Sequence, residues 1–192
     1  MAVHGPLLRA DRRLSTLLMA HSPGDRIAEL GADLGNPQVA VPVFLAAVAY
    51  AYWRGRSLPQ LLRCTAAAVA VPVVVLTVKE WLDRPGPVPG TGYGYYPSGH
   101  AATTLVAFGA AALLLLPFLR RRGPLLAAVL LLTLVNGLGL MWRGYHWPVD
   151  VLASWCLGVL LLSWPALRCR PGGAAGPGQR ATTSVGTGPR AP

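Results

Sequence analysis

Lys79 with Arg84-Pro85, then Pro97-Ser98-Gly99-His100, then Arg143 with His146 and Asp150 are the residues of this chain whose types and spacing could do chemistry. His146 and Asp150 stand four apart, with Pro148 between them suited to a first helical turn, so the carboxylate can accept a proton from one imidazole nitrogen. That fixes the tautomer and frees the other nitrogen as a nucleophile. Ser98 is placed to cap a helix whose first amides would then face an anion, and Gly99 lets an oxygen come close to the backbone. His100 adds a group that gives or takes a proton near neutral pH. Lys79, Arg84 and Arg143 would supply positive charge to a phosphate and to the charge that builds up as it is transferred. Taken singly, each stretch has a plainer account: a capped helix start, an interfacial His–Asp pair, cations that snorkel to the membrane surface. Trp142 and Trp147 read as belt aromatics at that surface.

These residues lie at the ends of apolar segments. The chain of 192 residues is 53% hydrophobic and 12% charged, with a mean hydropathy of +0.46, the profile of a one-domain integral membrane protein. Five apolar stretches, at 38–53, 61–78, 101–118, 124–142 and 149–167, predict an all-α, polytopic transmembrane bundle of about five spans. Runs such as Ala110-Ala111-Ala112 and Gly137-Leu138-Gly139 suit close helix packing. Residues 1–37 form an amphipathic interfacial segment, one or two helices broken near Ser22-Pro23-Gly24, too charged to span and without the pattern of a cleavable signal. A sixth span hidden there would move only the N-terminus. Residues 38–167 form the membrane-embedded domain, and 168–192, rich in Gly and Pro, a disordered tail. Cys64, Cys156 and Cys169 have no metal-ligand spacing and read as packing residues.

Alternating spans put residues 54–60, 119–123 and the tail on one face. That face carries an arginine-rich set without a single acid, whereas all seven acids fall on the other. The Lys/Arg rule makes the arginine-rich face cytoplasmic and points the three motifs outward across the plasma membrane. A net charge of +10 could suggest nucleic acid, but the basic residues are scattered between apolar segments and no aromatic–basic motif accompanies them, so anionic lipid headgroups are the expected counterions.

With these residues in view, the sequence resembles the type 2 phosphatidic acid phosphatase superfamily, lipid-phosphate phosphatases that share a core with vanadium haloperoxidases. Their signature runs Lys, six residues, Arg-Pro; then Pro-Ser-Gly-His; then Ser-Arg, five residues, His, three residues, Asp. The resemblance covers about 38–167; its second motif and the His-to-Asp spacing of its third are matched without substitution. It implies that His146 is a nucleophile forming a phosphohistidine, that Asp150 orients it, and that His100 protonates the leaving group. It further implies that Ser98 and the Gly99 amide cradle the phosphate beside Lys79, with no metal and no organic cofactor.

Two positions depart from the signature. Gly86-Pro87 stands where Arg-Pro is expected, with Arg84-Pro85 two residues earlier, and Gly139-Leu140 stands where Ser-Arg is expected, with Arg143 the nearest arginine. Arg84 and Arg143 are the candidate replacements as phosphate-binding cations. The expected function is hydrolysis of a lipid phosphomonoester or pyrophosphate, of the undecaprenyl pyrophosphate, phosphatidic acid or phosphatidylglycerol phosphate type. The alternative is a non-catalytic protein on the same scaffold that binds a lipid phosphate or a partner.

Overall fold

The structure, a computed structural model, describes residues 5–90 and 92–167. The tail expected at 168–192, with Cys169, lies outside the described residues. Those described form seven α-helices and no strand: α1 (Pro6–Ala20), α2 (Asp25–Asp33), α3 (Pro37–Trp53), α4 (Leu58–Leu82), α5 (Gly99–Leu115, extended by a 3-10 turn, Leu116–Phe118), α6 (Gly123–Trp142) and α7 (Pro148–Leu167). Helices α4, α5 with its 3-10 turn, α6 and α7 are each long and apolar enough to cross a membrane. Helix α3 is shorter; only when taken together with α2, which it meets at a 43° bend, is it long and apolar enough to cross, as a broken span or a re-entrant loop. The bend has a local cause: Pro37 begins α3 and disfavours helical geometry at Asn36, whose side chain then caps α3 by accepting from the Gln38 amide at 3.1 Å.

Helix α5 is the axis of the bundle, packed against α3, α4, α6 and α7. Its sequence is small and apolar all round, so no face needs to meet lipid or water, and Ala101, Ala102, Val106, Ala110 and Leu114 are among its buried residues. Close approach is also built in at the crossing of α2 and α6. A Cβ on Gly139 would lie 2.4 Å from the Ala32 nitrogen and 2.6 Å from the Ala28 oxygen, so only glycine fits. Asn136, fully buried one turn earlier, donates to the Gly31 and Ala32 carbonyls at 3.1 and 2.8 Å, satisfying the end of α2.

The N-terminal segment is two helices broken at 21–24, as the Ser22-Pro23-Gly24 signal predicts. Its orientation is less ordinary. In α1 the buried residues are Asp11 and Ser15, while Leu7, Leu14 and Leu17 face outward. The helix turns a polar edge and Leu18 to the protein and leaves those three leucines outside together with Arg9, Arg12 and Arg13, the mixture of an interfacial helix. Cys64 is buried in the core beside Leu61 and Leu114, whereas Cys156 is exposed on α7, so the packing role expected of the cysteines describes Cys64 and not Cys156.

Candidate active site

Consecutive spans run in opposite directions, so the C-terminal ends of α4 and α6 meet the N-terminal starts of α5 and α7 at one end of the bundle. Lys79, Ser98, His100, His146 and Asp150 therefore share that end, and Asp11 joins them from α1.

The start of α7 is organised around Asp150. Its side chain is fully buried and sits in the first helical turn, where the helix dipole favours an anion. Oδ2 accepts from the Trp147 amide at 3.1 Å, a reach-back to the residue preceding the helix. Oδ1 accepts from Arg84 Nη1. His146 Nδ1 lies 3.7 Å from Oδ2, in ion-pair range but beyond a hydrogen bond, and Nδ1 is buried without a hydrogen-bond partner. The imidazole is otherwise steadied by the Tyr95 ring, edge-on with centroids 5.8 Å apart. The turn delivering His146 needs Gly144, at φ 64°, where a Cβ would press on Met19 Sδ at 2.9 Å and Val88 Cγ2 at 3.0 Å.

Facing α7 is the start of α5. Ser98 is fully buried and caps the helix, Oγ accepting from the Ala101 amide at 3.3 Å, as its sequence position predicts. The Gly99 and His100 amides are then the first of a helix and have no intrahelical acceptor. The Ser98 amide donates to the Asp150 carbonyl at 3.4 Å, stitching α5 to α7. His100 is exposed at the mouth, close enough to interact electrostatically with His146, Asp33 and Lys79. Its backbone is pressed by the joint between α2 and α3, where a Cβ on Gly35 would lie 2.4 Å from the His100 oxygen. Half-buried Lys79 is within electrostatic reach of Asp150. Among the described residues no cluster of three or more His, Cys, Asp or Glu side chains is arranged to hold a metal ion.

The two candidate replacement arginines part company. Arg84 enters the site: Nη1 binds Asp150, Nη2 binds Asp11 Oδ2 at 2.6 Å, and the guanidinium stacks over the Trp147 ring at 5.3 Å. Trp147 Nε1 in turn donates to the Pro85 carbonyl at 2.8 Å. Trp147 thus supports Arg84 in addition to the belt position that its place in the sequence suggests. Arg143 is engaged by α2 instead, its Nη1 2.6 Å from Asp25 Oδ1 and its Nε 2.7 Å from Glu29 Oε2. Interaction with Tyr145, then the Asp25 and Glu29 charges, pushes its pKa above the ordinary guanidinium value. Its charge is matched twice over by carboxylates.

The crossing of α2 and α6 gives a physical reason for the missing Ser-Arg. Those two positions are Gly139, against which the α2 backbone lies, and Leu140, fully buried beneath Ala32 and Val151. A serine side chain at the first would collide with α2, and an arginine at the second would bury a charge.

Sequence reasoning missed Asp11, Tyr95 and the stacking face of Trp147. A signal for Asp11 existed: with Ser15 it makes a polar i, i+4 pair on a helix rich in leucine. Nothing local in the sequence marks which way such a helix turns.

The described residues form a helical bundle with several helices able to span a membrane and a His–Asp pair and a capped helix start at one end, the architecture of a multi-pass membrane protein. Residues 64–170 match the model of the PAP2 superfamily, and the chain belongs to that family. Among solved structures it is similar to a transmembrane PAP2-type phosphatidylglycerolphosphate phosphatase from Bacillus subtilis, with a TM-score of 0.76 at 19% identity over 86% of this chain and 88% of that one. It is also similar to LpxE from Aquifex aeolicus, with a TM-score of 0.64 at 17% identity over 81% of this chain and 93% of that one. No curated protein matches the sequence.

Proposed function

We propose that the protein is a membrane phosphatase that removes a phosphoryl group from a lipid phosphomonoester or pyrophosphate at the extracytoplasmic face of the plasma membrane. The observation that carries the reading is Arg84. Although two residues out of the family's register, it reaches Asp150 beside His146 and restores a guanidinium to the site.

In this reading His146 Nε2 attacks phosphorus, and the leaving lipid oxygen takes a proton from His100 as its bond to phosphorus breaks. Water, giving its proton to His100, then attacks the phosphohistidine and returns the imidazole with release of phosphate. Lys79, Arg84, Ser98 and the Gly99 and His100 amides hold the phosphoryl oxygens. Asp150 moves from 3.7 Å into hydrogen-bond range of Nδ1 as His146 gains positive character. Apolar spans around the mouth suit a substrate that presents its headgroup from the bilayer, and residues 38–167 are the membrane-embedded domain of this reading.

The second reading, a non-catalytic binder on the same scaffold, is favoured by one observation: both arginines are already paired with two carboxylates, Arg84 with Asp11 and Asp150 and Arg143 with Asp25 and Glu29. Phosphate release by detergent-purified protein separates the two. Phosphatidic acid, phosphatidylglycerol phosphate and undecaprenyl pyrophosphate are the substrates, with chelator present and His146→Ala in parallel. Release that survives the chelator and disappears in the variant supports the enzyme. No release from any of the three by folded protein supports the binder.

A further inference from the structure

Asp11 stands outside every motif and outside the membrane-embedded segment, yet its carboxylate is 1% exposed and fully used. Oδ2 accepts from Arg84 Nη2 at 2.6 Å and Oδ1 from the Val149 amide at 3.0 Å. A buried carboxylate is costly unless paired, so a helix that turns one inward while leaving Leu7, Leu14 and Leu17 outside is arranged around that contact.

The consequence falls on Arg84. It stands in a loop that also holds Gly86, Pro87, Pro89 and Gly90, just after Asp83, whose φ is 28°. Such a segment does little by itself to aim a long side chain. Held by Asp150 alone, the guanidinium would have one anchor and would lie wholly on the carboxylate that His146 needs. With Asp11 it has two anchors on its two terminal nitrogens and a flat support in Trp147. Because Asp11 is itself tied to the first turn of α7, the two carboxylates are fixed relative to each other. A guanidinium has five N–H donors, so those not spent on the two carboxylates remain for a phosphoryl oxygen.

We infer that Asp11, delivered by the N-terminal helix, is a positioning residue of the active site: it draws Arg84 into place from outside the family's register and shares its charge with Asp150. The inference rests on the phosphatase reading above.

The test is a double-mutant cycle between Asp11→Asn and Arg84→Gln, read as kcat and KM for phosphate release from phosphatidic acid and from undecaprenyl pyrophosphate in detergent micelles. Thermal melts accompany it as a check on folding. Asparagine keeps an oxygen for the Val149 amide and removes only the charge facing Arg84. Acting through Arg84, Asp11→Asn lowers kcat by about 10- to 100-fold with little change in KM, and by less than about twofold when Arg84 is already glutamine. Asp11→Glu keeps the charge while displacing it by one methylene. It lowers kcat by a few fold, again only when Arg84 is present, and serves as the cycle's second variant should the asparagine protein not fold. An Asp11→Asn enzyme with wild-type kcat, or one equally impaired in the Arg84→Gln background, overturns the inference and leaves Asp11 as an anchor for α1. Failure of the phosphatase reading has a different signature: no release by the wild-type protein, or undiminished release by His146→Ala. Either result overturns the inference with it.

Discussion

Arg84 and Asp150 are 66 positions apart in the chain and meet through Arg84 Nη1 and Asp150 Oδ1, joining the loop after α4 to the first turn of α7. The contact closes a chain of charges from Asp11 through Arg84 to Asp150 and on to His146. Three of its four members come from different parts of the sequence, so each can be tested apart.

His146→Ala is expected to abolish phosphate release, with a loss of at least about 1,000-fold, since no other side chain replaces the attacking nitrogen. Asp150→Asn is expected to lower kcat by about 100- to 10,000-fold by leaving His146 without its carboxylate. Steady-state kinetics on folded, purified variants check both; full activity in His146→Ala would sink the phosphohistidine route.

Removing Arg84 strikes stability as well as turnover. Arg84→Ala strands two buried carboxylates, so we expect a loss of about 3–5 kcal/mol, together with a fall in kcat of about 100- to 1,000-fold. Detergent-based thermal unfolding and kinetics report the two separately, and an unchanged melting temperature would mean that water already solvates Asp11 and Asp150.

Arg143 should behave otherwise. Of its partners Asp25 is largely exposed and Glu29 partly so, and such pairs contribute little, so Arg143→Ala keeps activity within roughly fivefold of wild type. A 100-fold loss would instead show that Arg143 leaves α2 to meet the phosphate.

Restoring the family's residues at the third motif should fail. Gly139→Ser drives a side chain into the Ala32 and Ala28 backbone, costing about 1–3 kcal/mol, the scale of overpacking. Combined with Leu140→Arg, it raises no activity and lowers the melting temperature further. A double variant more active than wild type would mean that α2 readily moves aside.

Orientation is accessible to labelling. In a background lacking the exposed Cys156, Tyr93→Cys reacts with a membrane-impermeant maleimide on intact cells and Arg121→Cys does not. The reverse pattern would place the site in the cytoplasm.

Much of this was legible because it is local. The Ser98 cap, the Pro148 helix start and the break at Ser22-Pro23-Gly24 depend on residues within a turn of one another, and hydropathy outlines the spans because lipid demands apolar helices. The bend between α2 and α3 has its signal in Asn36-Pro37, just ahead of the apolar run that begins at residue 38.

The sequence by itself determined that the chain is a helical membrane bundle with a His–Asp pair, a capped helix start and cations at one end, since composition and short-range spacing suffice for each. Only the tertiary structure decided which arginine serves that end. Arg84 and Arg143 are equally plausible on paper, and their fates depend on carboxylates more than 70 positions away: Asp11 draws the first inward, while Asp25 and Glu29 hold the second on α2. Charge pairing acts through space, and the packing of Gly139 against α2, a contact between distant residues, sets where Asp25 and Glu29 lie.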